Sequence, residues 1–216
     1  MEKTLKIQDL RRDYKFKSLD ISDCDPSPFI QFQTWFNEAV QSACDEPNAF
    51  VLSTVNSQGR PRSRTVLLKG FNQESFHFYS NYESAKGHEL KTSPYVSMTF
   101  LWLPLERQIR IEGIAKKMTH DESEKYFQSR PRGSQLGAIA SRQSEKVASK
   151  EILAEQFKSA EEKWKNTDAI PCPDYWGGYQ IIPSYFEFWQ GQSNRLHDRI
   201  EYELKDTAWI RSRLSP

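Results

Sequence analysis

Cysteine is scarce in this sequence, and its placement excludes two common structural roles. The 216 residues include three cysteines, Cys24, Cys44 and Cys172. An odd number at wide spacing forms neither a disulfide framework nor a CxxC metal motif. No histidine pair has metal-ligand spacing supported by cysteine or carboxylate, so we expect no metal site. This cysteine usage is typical of a protein of the reducing cytoplasm.

A dominant charge of one sign is also missing. Lysine and arginine number 30 and aspartate and glutamate 29, for a net charge of +1. Such a chain has no global basic field of the kind that attracts nucleic acid, so we expect no nucleic-acid partner. Any anion must therefore be recognised by local clusters of basic side chains.

Long hydrophobic runs are absent as well. No apolar segment approaches the length that spans a bilayer, and the start of the chain has no apolar signal-peptide core. The motifs GxGxxG, GxxxxGK[ST] and GxSxG are missing, which leaves dinucleotide-binding, nucleotide-hydrolase and serine-hydrolase functions unsupported. We expect a soluble, cytoplasmic protein with no membrane partner.

The sequence does contain enough apolar residues for one substantial core, with 37% hydrophobic and 13% aromatic residues. Residues 1–25 are charged and without periodicity, which predicts an N-terminal arm. Residues 26–216 are predicted to form a single domain. Ser27 and Pro28 favour the start of a helix. An apolar stripe at helical spacing follows them: Phe29, Phe32, Trp35, Phe36, Ala39, Val40 and Ala43.

Beyond that helix the pattern changes to short strands with a few helices. β-branched and aromatic enrichment predicts strands at 49–55, 61–69, 75–80, 94–103, 107–117, 179–182, 185–190, 199–204 and 208–214. Helices are predicted at 121–129, 134–141 and 148–166. Hairpin-like spacing favours an antiparallel sheet. We therefore predict a mainly β protein, a small β-barrel with added helices.

The most informative segment lies at 188–199. If it is a strand, Arg195, His197 and Arg199 share one face, while Leu196 and Asp198 point the other way. Two guanidiniums and an imidazole on one face suit an anion. The alternative is a solvated edge strand. The adjoining Trp-Gln-Gly favours a ligand site.

A second basic segment lies at 61–69. Arg64 and Lys69 are separated by an odd number of residues, so on a regular strand they face opposite ways and need not bind the same group. The alternative is that both are edge charges that prevent wrong strand pairing.

The segment 79–86 closes a strand and opens a helix, which Ser84 or Asn81 could cap. A helix N-terminus with free amides and the nearby Lys86 makes a good phosphate site.

A further phosphate site is predicted at 126–134. Arg130 precedes Pro131 and is therefore expected to be extended, which ends the helix before it. Ser134 is predicted to cap the next helix, where a phosphate would meet free amides, the hydroxyl and the Arg130 guanidinium. Tyr126 can add a phenolic hydrogen bond. The alternative is a helix-loop-helix with a routine cap.

Two other polar groups have plain alternatives. Gln108 shares a strand face with Arg110 and Glu112, which is typical of an exposed sheet face. Gln143 and Ser144 lie in a polar segment that is typical of a solvated loop. Trp189, taken alone, is typical of a core aromatic residue.

These motifs together resemble the pyridoxamine 5'-phosphate oxidases. The resemblance covers nearly the whole chain in the order of that family. It rests on RRDY (11–14), RTVLLK (64–69), ERQ (106–108), YFQSRPR (126–132), SRQS (141–144), YWGG (175–178), FWQG (188–191), RLHDR (195–199) and RLSP (213–216), with Trp209. It implies an FMN-binding split β-barrel assembled as a homodimer.

The resemblance also implies an activity: oxidation of pyridoxamine or pyridoxine 5'-phosphate to pyridoxal 5'-phosphate, with O2 as acceptor and H2O2 released. It assigns the substrate to Lys69, Tyr126, Arg130, Ser134, Arg195, Leu196 and His197, with Arg195 and His197 nearest the chemistry. Arg11, Arg12 and Tyr14 would form a lid. The flavin is assigned to Arg64, Thr65, Val66, Leu67, Leu68, Lys69, Tyr79, Ser80, Lys86, Gln108, Gln143, Ser144, Trp189 and Arg199. FMN would lie at the subunit interface, and Gln143 and Ser144 would contact it from the partner subunit.

One position departs from the family pattern, which usually has an Arg-Lys pair at the helix start. Ala85 stands in the first place of that pair and Lys86 in the second. Loss of one charge-assisted contact would weaken flavin binding about tenfold or more. Two alternatives stay open. One is another flavin-dependent split-barrel oxidoreductase with a different ring substrate, against which the intact substrate residues argue. The other is a non-catalytic carrier of pyridoxal phosphate, which only Ala85 supports.

Overall fold

The computed structural model describes residues 6–10, 13–14 and 17–216. In this part of the chain there are five α-helices: α1 Pro28–Gln41, α2 Ala85–Thr92, α3 His120–Ser129, α4 Arg132–Ala140 and α5 Lys150–Trp164. The strands are β1 Ala49–Val55, β2 Pro61–Leu67, β3 Gly70–Phe71, β4 Phe76–Asn81, β5 Tyr95–Trp102, β6 Arg107–Lys117, β7 Trp176–Gln190, β8 Asp198–Lys205 and β9 Ala208–Arg213. The predicted mainly β class is confirmed.

The strands form one nine-stranded sheet. Its order is β2-β1-β5-β6-β7-β4-β3, and β8 pairs with both β7 and β9. The pairings of β1 with β2, β3 with β4, β4 with β7, β7 with β8 and β8 with β9 are antiparallel. The expected antiparallel pairing is thus confirmed for these strands.

Two compact units share this sheet. One comprises Met1–Pro47, Thr99–Ile111 and Ser184–Pro216, and the other comprises Asn48–Met98 and Glu112–Pro183. We call the first of these the aromatic unit and the second the cavity unit. The single domain expected over residues 26–216 stays a prediction.

The core of the aromatic unit is built from aromatic side chains of α1 and β7. Trp35 meets Phe188 edge-on at 5.3 Å between ring centroids, and Phe29 meets Phe186 in the same way at 5.3 Å. The predicted apolar stripe of α1 is therefore mostly the buried face. Val40 is exposed, and Ala43 is exposed beyond the end of the helix. Ser27 occupies the N-cap position as predicted, but its side chain makes no capping bond.

Strand β7 is one continuous strand of 15 residues, whereas the sequence predicted two strands separated near Pro183. A proline lacks the amide that a central strand donates, so a break was expected. Beside Ile182 and Pro183, the neighbouring residue of β6 is Gly113. An added Cβ on Gly113 would lie 2.3 Å from the Ile182 carbonyl oxygen, so glycine permits a close approach of the two backbones.

Two of the cysteines are buried. Burial is the main cause that raises the pKa of both Cys24 and Cys172, to about 12 for Cys172. Cys172 packs with Phe127, Leu136 and Trp176 in the core of the cavity unit.

No helix in the described residues is both long and apolar enough to cross a membrane.

The first turn of α2 is held against the loop before it, which gives a test of the fold. A Cβ on Gly87 would lie 2.0 Å from the backbone oxygen of Tyr82, so Gly87→Ala must displace the helix start. We expect a loss of about 1–3 kcal/mol in the free energy of unfolding, measured with denaturant. The matched control is Gly133→Ala in α4, where a Cβ meets open space. It should stabilise by about 0.5–1 kcal/mol. Equal effects of the two changes would contradict the packing described for α2.

Candidate functional site

The cavity unit contains a cavity of about 890 Å³, within the usual range of small-molecule sites of roughly 300–1,000 Å³. Its walls come from the ends of β2 and β4, the start of α2, the junction of α3 with α4, and the loop that follows α4. It gathers many of the residues that the sequence assigned to flavin and substrate: Arg64, Thr65, Val66, Leu67, Lys69, Tyr79, Ser80, Lys86, Tyr126, Arg130, Ser134, Gln143 and Ser144.

Four of these residues are basic: Arg64, Lys69, Lys86 and Arg130. Among the described residues that line the cavity, none is acidic. Cations gathered without a lining carboxylate favour anionic ligands such as phosphates.

Arg64 and Lys69 both line this cavity. The prediction that they face opposite ways assumed one regular strand through both residues, and that assumption was wrong. The regular alternation ends with β2 at Leu67, and Gly70 begins a separate short strand. Leu68 lies at this break with its side chain buried in the core, and it does not line the cavity.

Lys86 lies at the centre of a buried polar network. Its ammonium donates to the hydroxyls of Ser80 and Ser84 at 2.9 and 3.3 Å, and to the side-chain oxygen of Gln143 at 2.8 Å. Burial lowers the pKa of Lys86 to about 8; the charge of Arg64 acts in the same direction and that of Glu89 in the opposite one. All three oxygens are neutral, so this ammonium is suited to a phosphate.

The start of α2 is capped as predicted. The Ser84 side chain accepts from the Gly87 amide, which fixes the helix start beside Lys86. Gln143 reaches Lys86 and Ser80 of the same chain, although the resemblance implied that it crosses to a partner subunit.

Glu89 anchors the basic end of this cavity. Its carboxylate is 5% exposed and accepts from Arg62 at 3.2 Å and from Arg64 at 2.9 Å. Thr54 donates to it at 2.5 Å. Burial alone would raise the pKa of Glu89, but the bonds from Thr54 and Arg64 outweigh it and hold the pKa below its usual value. A charged carboxylate thus fixes both guanidiniums.

Arg130 is another basic residue of the cavity lining. Its backbone is extended before Pro131, as predicted, with φ −76° and ψ 148°. The guanidinium carbon lies 4.6 Å from the ring centre of Trp176, a cation–π contact. The buried atom Nη1 has no hydrogen-bond partner in the described residues. Such an orphaned donor is costly unless a ligand oxygen accepts from it.

Tyr126 stacks on Tyr79 with ring centroids 3.8 Å apart. Burial raises the pKa of Tyr126, while the charge of Arg130 acts in the opposite direction. The phenol is therefore neutral and can donate a hydrogen bond.

Ser134 lies in the first turn of α4, but it is not the cap that the sequence predicted. The helix begins at Arg132, because the Pro131 carbonyl already accepts from the Ser134 amide at 2.8 Å and from the Gln135 amide at 3.1 Å. Ser134 still lines the cavity beside Arg130.

The sequence assigned no ligand contact to Trp176 or to Asn81, Pro131, Gly137, Ala138 and Ser141, which also line the cavity. The YWGG motif contained Trp176 and was a usable signal. The others are small or local residues whose placement depends on how α3 and α4 meet.

A second cluster lies in the aromatic unit and contains Tyr14, Trp189 and His197. Tyr14 contacts the rings of Trp189 and His197 at 5.7 Å each, and Trp189 lies 4.7 Å from His197. Gly191 makes room for Tyr14, because an added Cβ would lie 2.7 Å from its ring. Arg11 and Arg12 lie outside the described residues.

His197 Nδ1 accepts a hydrogen bond from the Gln192 amide at 3.1 Å. The neutral imidazole therefore carries its proton on Nε2, which can donate to a ligand.

The predicted strand alternation of Arg195, His197 and Arg199 was wrong. Residues Ser193–Arg195 form a short 3-10 turn, and β8 begins at Asp198. Asn194 and Arg195 have positive φ, 55° and 62°, so regular strand geometry is interrupted there. Arg195 and Leu196 are exposed on this turn.

Arg199 pairs across the sheet with Trp189, as neighbours in the register of β7 and β8. Its guanidinium makes two bonds to Glu187, at 2.9 and 3.0 Å. Glu187 is 2% exposed and also accepts from Arg110 at 2.9 Å. Gln108 lies on the same face of β6 as Arg110, as predicted, and is half-buried.

Two sequence models of protein families match the chain. Residues 36–163 match the model described as Pyridoxamine 5'-phosphate oxidase. Residues 176–216 match the model described as Pyridoxine 5'-phosphate oxidase C-terminal dimerisation region.

Curated relatives match over nearly their whole length. A pyridoxine/pyridoxamine 5'-phosphate oxidase 2 of Hydrogenovibrio crunogenus is 48% identical over 213 residues, covering 99% of this chain and 100% of the relative. A pyridoxine/pyridoxamine 5'-phosphate oxidase of Acaryochloris marina is 49% identical, covering 97% of this chain and 95% of the relative.

Solved structures share the fold. PhzG of Burkholderia lata, in complex with tetrahydrophenazine-1-carboxylic acid, has a TM-score of 0.85 at 28% identity, covering 93% of this chain and 100% of that one. A pyridoxamine 5'-phosphate oxidase-related, FMN-binding protein of Nostoc punctiforme has a TM-score of 0.72 at 17% identity, covering 89% and 100%. The expected split-barrel fold class is confirmed.

The lowered pKa of Lys86 predicts a pH-dependent stability. Below about pH 8 the buried ammonium is charged in both the folded and the unfolded chain. Between about pH 8 and the ordinary value of 10.5 the unfolded chain binds more protons, so stability rises with pH. In the ligand-free protein, wild type should gain stability relative to Lys86→Met from pH 7 to 9.5, measured by denaturant unfolding. Lys91→Met, on the exposed side of α2, controls for the loss of a lysine. A constant gap between wild type and Lys86→Met would refute the prediction.

Glu187→Gln should destabilise the aromatic unit. The change leaves Arg110 and Arg199 without their shared carboxylate, at a cost of about 1–3 kcal/mol in unfolding free energy. The control is Glu203→Gln on β8, whose exposed side chain forms an ion pair with Lys205 at 3.0 Å. It should stay within about 0.5 kcal/mol of wild type. Thermal denaturation of both variants measures the difference, and similar losses would show that Glu187 is an ordinary surface charge.

Proposed function

The chain belongs to the pyridoxamine 5'-phosphate oxidase family, and on that premise we propose that it oxidises pyridoxamine or pyridoxine 5'-phosphate to pyridoxal 5'-phosphate with bound FMN. The observation that carries this proposal is the cavity with four basic side chains and no acidic one among its described lining residues. Arg64 acts electrostatically on Lys86, and Tyr126 acts on Arg130. A flavin phosphate and a substrate phosphate need two separate anchors of this kind.

The residues present fit FMN. The Lys86 ammonium has only neutral oxygen partners, and Arg64 lies close enough to lower the pKa of Lys86. With Ser80 and Gln143 these side chains would hold the flavin phosphate. When bound, FMN supplies the two-electron redox chemistry, with O2 as the final acceptor and H2O2 as the product.

Arg130 and its neighbours would hold the substrate phosphate. The orphaned Nη1 supplies a donor that needs an acceptor, and the face of Trp176 keeps the guanidinium plane in place. Tyr126, Ser134 and Lys69 also line the cavity and can add donors. Fixing the phosphate in this way positions the reactive carbon and lowers the entropic part of the barrier.

The family resemblance assigns the contacts to the ligand rings to residues of the aromatic unit. Arg195, Leu196 and His197 are proposed to contact the pyridine ring, where His197 can donate from Nε2 to a polar substituent. Gln108, Trp189 and Arg199 are proposed to contact the flavin. Tyr14 lies on Trp189 and His197 and would exclude water as part of a lid.

The reaction balances without further protein chemistry. The amine carbon loses two electrons and two protons, water adds its oxygen, and ammonia leaves to give the aldehyde. For the alcohol substrate the same two-electron loss gives the aldehyde directly. The residues therefore bind and orient, and we propose no covalent intermediate on the protein.

The proposal also includes the oligomeric state of the protein and its location in the cell. The match of residues 176–216 to a dimerisation region supports a homodimer with FMN at the subunit interface. Scarce, unpaired cysteines favour the cytoplasm.

The proposal predicts phosphate-dependent oxygen consumption. FMN-saturated protein should turn over pyridoxamine 5'-phosphate but not unphosphorylated pyridoxamine. Arg130→Ala should raise KM by about ten- to a hundredfold, because one or two charge-assisted bonds are lost.

The matched control is Arg132→Ala, two residues away, whose guanidinium bonds the carbonyls of Trp164 and Thr167 and does not line the cavity. It should keep the wild-type KM. Equal turnover of phosphorylated and unphosphorylated substrates would instead favour another flavin-dependent split-barrel oxidoreductase. Absence of flavin binding would favour the non-catalytic carrier.

A further inference from the structure

Leu19 attaches the N-terminal arm to the last two strands of the sheet. Its side chain is buried. Its amide donates to the carboxylate of Asp198, the first residue of β8, at 3.0 Å, and its carbonyl accepts from Arg213 of β9 at 3.1 Å. All three residues belong to the aromatic unit. The arm that carries Tyr14 therefore leaves the sheet from a fixed point.

Gln192 extends this attachment toward Tyr14. Its side-chain amide donates to the Lys17 carbonyl oxygen at 2.6 Å and to the Asp198 carboxylate at 2.8 Å. Both protons of the amide are thus used, and Asp198 fixes the side chain that holds the arm. We call these two bonds the Gln192 clasp. Because Lys17 is three residues from Tyr14, the clasp restrains the segment that carries this ring.

The backbone of Gln192 bonds His197 at the same time. Its amide donates to Nδ1 of the imidazole at 3.1 Å, which sets the tautomer that carries its proton on Nε2. The centres of the Tyr14 and His197 rings are 5.7 Å apart. One residue therefore bonds the arm through its side chain, and through its backbone it bonds the imidazole that the arm contacts.

We propose that Gln192 is a positioning residue that keeps the arm closed on His197 and thereby favours substrate binding. Bonds that hold the closed arm raise the population of the binding-competent state, and the apparent affinity rises with that population. Gln192 lies between the segments 188–191 and 195–199 that carried the family resemblance, which assigned it no role. This inference rests on the proposed function and deepens the lid proposed there.

Gln192→Met tests the clasp directly, because methionine keeps the length of glutamine but donates no hydrogen bond. The matched control is Gln33→Met, at an exposed position of α1. Hydrogen exchange in the presence of excess FMN, followed by mass spectrometry, measures opening of the arm. In Gln192→Met the amides of residues 17–20 should exchange about tenfold faster, for the loss of two hydrogen bonds at a half-buried site. Those of β7, and all amides of the control, should keep the wild-type rate.

Oxygen consumption with pyridoxamine 5'-phosphate separates positioning from a purely structural role. Gln192→Met should raise KM by about three- to tenfold and leave kcat within about twofold, because a closed arm holds the ground state and the transition state alike. Tyr14→Ala removes the ring that the clasp restrains. Adding Gln192→Met to Tyr14→Ala should then change KM by less than about twofold, since the two residues act as one unit.

Four outcomes would overturn the proposal while the oxidase proposal stands. They are a wild-type exchange rate at 17–20 in Gln192→Met, faster exchange there with an unchanged KM, equally faster exchange throughout the aromatic unit, and fully additive effects of the two substitutions on KM. If wild type with bound FMN does not turn over pyridoxamine 5'-phosphate, the proposed function fails, and the role of Gln192 in substrate binding fails with it.

Discussion

The basic end of the cavity depends on one buried ion-pair cluster, the carboxylate of Glu89 with Arg62, Arg64 and Thr54. Glu89 lies on α2 and its partners lie on β1 and β2, so the cluster ties the helix to the hairpin. Because Glu89 stays charged, two guanidiniums are oriented before any anion arrives. Side chains that are already fixed lose less entropy when a ligand binds, and they need little reorganisation when charge develops.

This preorganisation has an energetic cost in the ligand-free protein. Burial lowers the pKa of Lys86, and the same cause lowers the pKa of Arg130, which means that both cations lose hydration. The neutral oxygens around Lys86 and the face of Trp176 beside Arg130 offset only part of that loss. Functional sites commonly keep such unfavourable groups because a ligand completes them. The aromatic cores of the two units provide stability elsewhere.

Local patterns in the sequence predicted local structure well. The bounds of β1 and β6 match their predicted ranges, because side-chain alternation is set within each strand. The Ser84 cap and the extended Arg130 were likewise predictable from neighbouring residues. The turn at Ser193–Arg195 was not, since positive φ at Asn194 and Arg195 leaves no periodic signal. The contact between Lys86 and Gln143 joins residues 57 positions apart, and the ring of Trp176 that packs against Arg130 comes from β7. Those two features depend on tertiary packing. The order of the family motifs along the chain suggested them, but the spacing of residues in the sequence did not specify them.

The burial of Cys172 has a consequence for oxidative damage. Hydrogen peroxide attacks thiolates much faster than thiols, and further oxidation of cysteine is irreversible. With a pKa of about 12, the ionised fraction of Cys172 at neutral pH is on the order of one in 10⁵. Cys24 is shifted in the same direction by burial. The proposed oxidase would release peroxide at each turnover, and burial keeps two of its three cysteines in the form that peroxide attacks slowly.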